Sequence, residues 1–344
     1  MHDSKSANFG QLARRHGFLI VLVAIFAVFT LATDHFATFG NFIAMLHAMA
    51  PVVVMSCGMA LVVLAGKLDI SIGSVAFLSS TFAVLLMNNY GVHPVAAFAV
   101  TLAAGAALGA LNGFIVVGLG INPLIATLGT MIALRGIALQ LTNAVLIPLP
   151  ESVRSLGNLS IGPIFVDILV AAVVVIAADQ LHRRTVFGRQ LNAIGNGEEV
   201  AARIGIPVGR RVFLAFVLSG LFASIGGIMS LIQVGSISAY LGRGMEFTAV
   251  AVVVVGGISL FGGRGTILPG VVLGALTFEM IANGLNQMSA NPYAYRLVTG
   301  AIIFVAMYVD AMKSGRIRSR RKKPAVRDEP GRSTGTIAET TSRP

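Results

Sequence analysis

Residues 50–74 read APVVVMSCGMALVVLAGKLDISIGS. From Ala50 to Ala65 there is no charge and only Ser56 is polar; Gly66, Lys67, Asp69, Ser71, Gly73 and Ser74 then interrupt, and apolar character resumes at Val75. Roughly 20 apolar residues make a helix that crosses the hydrocarbon core of a membrane. Two such runs joined by a polar break belong at membrane depth only if protein or water satisfies the backbone groups freed at the break. Outward from this stretch the pattern recurs, with apolar runs near 18–33, 41–65, 71–88, 94–117, 122–142, 163–181, 212–233, 246–261, 267–287 and 295–312. These runs predict an all-α, polytopic membrane helical bundle of about ten transmembrane helices.

Composition agrees. The 344 residues are 56% hydrophobic and 11% charged, with mean hydropathy +0.84, against about 45–50% apolar and about 25% charged in soluble domains. Glycine is abundant, at 39 residues, and tryptophan is absent; small residues let membrane helices approach closely. The single cysteine, Cys57, lies in an apolar run and excludes both a disulfide framework and a cysteine metal site. No metal site is expected. The first run follows Arg14 and Arg15 as the core of a signal peptide would, but residues 32–40, ATDHFATFG, are a poor cleavage site, so an uncleaved first helix is expected.

The net charge of +11 does not point to nucleic acid, which would need a basic stripe on a soluble fold. The basic residues flank apolar runs instead. One set of connections holds Lys5, Arg14, Arg15, Lys67, Arg183, Arg184, Arg189, Arg203, Arg210, Arg211 and Arg264, together with ten more from Lys313 onward; the other holds Arg154, Arg243 and Arg296, and Arg135 falls within a run. By the positive-inside rule the first set is cytoplasmic, with both termini. The expected organisation is a cytoplasmic tail over 1–16, a membrane domain over 17–313 with a cytoplasmic loop at 182–211, and a disordered basic tail over 314–344.

Gly105-Ala-Ala-Leu-Gly-Ala-Leu111 in the fourth run matches Gly270-Val-Val-Leu-Gly-Ala-Leu276 in the ninth, five helices later and so in the opposite direction. Inverted repeats place a translocation pathway at their interface, although Gly/Ala/Leu-rich helices also match by chance. No phosphate-cradling loop ending in Gly-Lys-Ser/Thr is present, since Gly66-Lys67 is followed by Leu68. Any ATP must therefore be hydrolysed by a partner, and no cofactor is expected on this chain. Ion-coupled transporters place ionisable groups at membrane depth; Glu246, Glu279 and Arg135 are the candidates for that alternative.

Asp69 and Ser71 in the break read equally as pathway elements or as caps of the third helix. Between the Gly-containing turns at Gly195-Asn196-Gly197 and Gly205, the residues Glu198, Glu199, Ala201, Ala202 and Arg203 lie on a short helix with an alanine face, read as a docking element for a soluble partner or as a solvated connection. Asn112, Asn122, Thr127, Gln140, Gln233, Asn283, Asn286 and Gln287 are pathway candidates, although buried amides in membranes also bridge helices.

The sequence resembles the ribose-type permeases of bacterial ATP-binding-cassette importers for monosaccharides, which include the autoinducer-2 permeases. The likeness rests on Gly66 to Ser74, Leu111-Asn-Gly113, Ile121 to Thr130, Arg135-Gly136, Phe187-Gly-Arg189, Ala193-Ile-Gly195, Glu198 to Ala202, Gly205-Ile206 and Gly256 to Gly265, in the family's order. It departs at Lys67, where the family usually has a second glycine, and at Phe261, where a small residue is common. The resemblance implies an inner-membrane, non-enzymatic subunit that pairs with a second permease chain, as homodimer or heterodimer, and joins two ABC ATPase subunits that carry ATP and Mg. It also implies a periplasmic sugar-binding protein that chooses the sugar, and a coupling role toward the ATPase for Gly195 to Gly205.

Overall fold

The computed structural model describes residues 20–313. The expected tails, 1–16 and 314–344, with Lys5, Arg14 and Arg15, lie outside the described residues. The chain forms α1 (Ile20–Ala32), α2 (Phe39–Leu64), α3 (Ile72–Tyr90), α4 (Pro94–Gly113, continued by a π-helical turn over Phe114–Gly118), α5 (Pro123–Thr142) and α6 (Glu151–Arg154). It continues through α7 (Val166–Arg184), α8 (Val186–Asn196), α9 (Glu198–Arg203), α10 (Val208–Val234), α11 (Met245–Val255), α12 (Gly270–Gln287) and α13 (Pro292–Lys313). Two antiparallel pairs of two-residue strands are present: β1 (Ile147–Pro148) with β4 (Ser236–Ile237), and β2 (Ser160–Ile161) with β3 (Ile164–Phe165). The first pair ties the segment after α5 to the end of α10.

Local signals set the helix ends. Thr38 accepts from the Asn41 amide at 3.3 Å to start α2, and Asn122 accepts from the Leu124 amide at 3.0 Å to start α5, with Pro123 in the first position. At its far end α5 stops on Asn143, whose φ of 51° is a left-handed cap.

Among the described residues five helices, α2, α3, α4 with its π turn, α5 and α10, are long and apolar enough to cross a membrane. The run expected as a span over 246–261 is helical only as α11, whose 11 residues reach about 16 Å at 1.5 Å per residue, half of the hydrocarbon core. Gly256 and Gly257 end it, the second with φ 89°. The freed backbone is not left bare, because the amides of Gly256, Gly257 and Ile258 bond back to Val252, Val254 and Val253, as membrane depth requires.

α10 is the axis of the bundle. Three of the long helices beside it, α2, α3 and α4, each meet it where a side chain is missing. A Cβ at Gly226 would sit 2.5 Å from Met55 Cγ and 2.7 Å from the Pro51 carbonyl of α2. At Gly227 it would be 2.8 Å from the Ala76 carbonyl of α3, and at Gly220 it would strike the Gly105 carbonyl of α4. Gly109 of α4 answers Gly220, with a Cβ there 3.1 Å from Gly220 N and Cα. The two matching stretches both use glycines for close approach: Gly105 and Gly109 abut α10, while Gly270 and Gly274 abut the carbonyls of Gly256 and Val252. Burial is uneven across the bundle, with 78% of the α2 span and 72% of the α3 span buried but only 33% of α4 and 22% of α5.

The fold makes a direct prediction. Gly109→Val forces backbone apart and should cost at least the roughly 1–3 kcal/mol of over-packing, read as a lower thermal unfolding midpoint in detergent. Gly129→Ala on α5, where a Cβ meets nothing within 4 Å, should leave that midpoint unchanged.

Candidate functional site

The break between α2 and α3 turns its polar residues inward. Asp69 is fully buried. Its Oδ1 accepts from the Ser71 amide at 3.1 Å and the Ser71 hydroxyl at 2.6 Å, and its Oδ2 accepts from the Ser219 hydroxyl of α10 at 2.7 Å. Asn112 of α4 donates to Ser71 Oγ at 2.7 Å. Asp69, Ser71, Asn112 and Ser219 thus form one network joining the break to two helices, which is how a buried carboxylate becomes tolerable. Ser71 forms no side-chain cap on α3; the amide beside Asp69 is held by the carboxylate. Ser219 was missed in the sequence, where it is one serine among several in an apolar helix.

The same break meets the segment expected to couple to a partner. Lys67 Nζ lies 2.7 Å from Glu198 Oε2 at the start of α9. A Cβ on Gly195, near the end of α8, would strike the Leu64 carbonyl and the Gly263 amide, and one on Gly262 would be 2.7 Å from Gly66 Cα and 2.8 Å from Gly195 Cα. The Gly263 amide donates to the Leu64 carbonyl at 2.9 Å, and Asn196 Nδ2 donates to the Gly263 carbonyl at 3.0 Å. Three glycine-bearing stretches far apart in sequence, around Gly66, Gly195 and Gly262, therefore touch backbone to backbone. Lys67, an oddity in the sequence, is the residue that reaches α9.

α9 turns Ala201 inward, 1% exposed, while Glu198, Glu199, Ala202 and Arg203 are exposed. Its outer surface is completed by Val200 at 64% and Ile204 at 70% exposure, so the projecting apolar surface is valine and isoleucine beside one alanine. Gly205, at φ 84°, closes the helix, and its amide donates to the Ala202 carbonyl at 3.0 Å.

The remaining polar candidates are dispersed. Asn122 caps α5, and Thr127 Oγ1 donates to the Pro123 carbonyl at 2.8 Å. Gln140 and Asn286 are exposed. Gln233 donates to the His47 carbonyl at 2.7 Å and to Asp167, while His47 Nδ1 lies 2.8 Å from Asp167 Oδ2, binding α2, α7 and α10. Asn283 exchanges amide hydrogen bonds of 3.0 and 2.9 Å with Asn41 of α2 and receives one of 2.9 Å from Gln287. Arg135 stands 5.5 Å above the Phe77 ring, a cation–π arrangement.

Residues 41–307 match the family described as branched-chain amino acid transport system / permease component. The chain belongs to this family. It is similar to the ribose import permease protein of Escherichia coli, 33% identical over 86% of this chain and 93% of the relative. The D-allose transport system permease protein of Escherichia coli is 32% identical over 91% and 96%. The autoinducer 2 import system permease protein of an Enterobacter species is 33% identical over 92% of each chain. No solved structure matches. The permease is thus a membrane transport component, and the Gly66, Gly195 and Gly262 junction lies within the matched region.

Two of the polar contacts of the break differ in weight. Ser219→Ala leaves a buried Asp69 oxygen without a donor, costing about 1–3 kcal/mol, whereas Lys67→Gly removes a surface pair worth about 0–1 kcal/mol. Thermal unfolding in detergent should show a clear fall in midpoint for the first and little for the second.

Proposed function

We propose that this chain is the membrane permease subunit of an ATP-driven importer, forming the translocation path for a monosaccharide or related small polar solute delivered by a periplasmic binding protein. The observation that carries this reading is the match across residues 41–307, with named relatives that import ribose, allose and autoinducer 2. These relatives favour an ATP-driven importer over an ion-coupled transporter. In this reading the chain sits in the inner membrane of a bacterium, crosses it about ten times and keeps both termini in the cytoplasm. It is built as the inverted repeat of the Gly105 and Gly270 copies, and its domains run over 1–16, 17–313 and 314–344. The ATPase subunits hold ATP and Mg; this chain holds no cofactor.

Coupling falls to Gly195, Asn196, Glu198, Glu199, Ala201, Ala202, Arg203 and Gly205. The outer surface of α9 suits insertion into a groove of the ATPase, because an amphipathic helix docks by its apolar face and Val200 and Ile204 are free to bury there. Ala201 faces inward to hold the helix on the permease. A displacement of α9 would reach α2 through Gly195 and Leu64, and the Asp69 network through Lys67. The solute path, for which Asp69, Ser71, Asn112, Asn122, Thr127, Gln140, Gln233, Asn283 and Asn286 are candidates, would open and close as those helices rock. A second permease chain, identical or not, fits the sparse burial of α5, whose Ile125 and Ile132 are 66% and 69% exposed.

Ala202→Asp and Ile204→Asp place a charge on the outer surface of α9 without entering the permease core. Each should reduce co-purification of the ATPase at least tenfold and abolish ATP-dependent uptake in proteoliposomes, with unchanged unfolding of the permease itself. Full association and uptake in both variants would refute the docking role.

A further inference from the structure

Between α2, α11, α12 and α13 lies a cavity of about 840 Å³ that none of the nine path candidates lines. Its polar lining comprises Glu246, Glu279, Arg243, Thr248 and Thr299, and Gly300 opens one wall. Glu246 is only 6% exposed. Its Oε1 accepts from the Gly244 amide at 3.3 Å, while its Oε2 accepts no hydrogen bond, and Thr299 Oγ1 is buried and equally unpartnered. Among the described residues no hydrogen bond or ion pair reaches the Glu279 carboxylate. The Glu246 Oε2 packs against Gly73 of α3, so the carboxylate left without partners at the cavity is that of Glu279, which is half-buried. An uncompensated carboxylate is costly, and an ionisable group within a membrane bundle is by default a functional-site candidate.

The chemistry of the lining narrows the occupant. Two carboxylates supply acceptors, the Arg243 guanidinium supplies donors, and the two threonine hydroxyls supply both. A cation would meet Arg243 and, within electrostatic range of Glu246, Arg135. Among the described residues no group of three histidine, cysteine or carboxylate side chains is placed to hold a metal ion. An anion would meet the two carboxylates. A neutral molecule carrying many hydroxyls, each able to donate and accept, suits this mixture of donors and acceptors, and the volume falls within the roughly 300–1,000 Å³ of small-molecule sites.

We propose that this cavity is a low-affinity subsite for a polyhydroxylated solute inside the permease, with Glu279 accepting from solute hydroxyls. The proposal rests on the importer reading for the identity of the solute class and adds that the membrane subunit contributes to selection. Weak binding is what conduction requires, since a solute must leave as readily as it enters.

Saturation-transfer difference NMR on the full chain in lipid nanodiscs tests it, with D-ribose, D-allose and myo-inositol each used as the probe. Wild type should transfer saturation to at least one of them. Glu279→Leu removes acceptors without stranding a charge, and Gly300→Leu fills the cavity from a position where a Cβ meets nothing within 4 Å. Both should reduce the transfer at least tenfold while size exclusion and circular dichroism report an intact fold. Uptake of the same probe by the complete importer in proteoliposomes should fall at least tenfold in both. Transfer that is absent in wild type, or undiminished in the two variants, overturns the subsite. ATP-independent uptake by wild type, with its NMR signal intact, overturns the importer reading and leaves the subsite standing.

Discussion

Everything in this bundle depends on how closely backbones approach α10. Lipid tails are as apolar as leucine, so the membrane provides little hydrophobic drive to press one helix on another, and association falls to van der Waals packing at small residues and to a few buried hydrogen bonds. Gly220, Gly226 and Gly227 give α10 three bare surfaces, and α4, α2 and α3 each occupy one. With those contacts fixed, Ser219 comes within reach of Asp69, and the break between α2 and α3 gains its partner. The polar network is therefore a consequence of the glycine packing as well as a support for it.

That ordering explains what the sequence disclosed. Long apolar runs are legible because lipid demands them wherever they occur, and helices stand at the positions of the expected runs, of which five among the described residues are long and apolar enough to cross a membrane. The short length of α11 was not legible, because Ile258, Leu260 and Phe261 continue the apolar lettering past the glycines that end the helix. Polar roles were harder still. An asparagine in an apolar run has the same letter whether it joins two helices, as Asn283 does with Asn41, or faces a solute. Glu198 lies 131 residues from Lys67, a separation that no local pattern spans.

The motifs of the resemblance have a shared physical reason. Gly66, Gly195 and Gly262 belong to three stretches that looked separate on the page, yet Gly195 and Gly262 are glycines because backbone from the other stretches occupies the space a side chain would take, and Gly66 because its φ of 73° suits glycine. The charged residues of α11 and α12 tell the opposite story. Glu246 and Glu279 stood in the sequence as possible ion-coupling groups, and in the structure they share a cavity with Arg243 and two threonines, a mixture of donors and acceptors that no single ion would satisfy.

The junction beneath α9 carries one more consequence. Side chains between moving parts act as springs, because their rotamers absorb small displacements before anything beyond them shifts. At Gly195 there is no such cushion: main chain rests on main chain, clamped by the bond from Gly263 to Leu64. A joint of that kind has little slack, so under the docking role proposed for α9 a small thrust would pass from α8 to α2 with little loss, and the stroke needed at the surface would be correspondingly short.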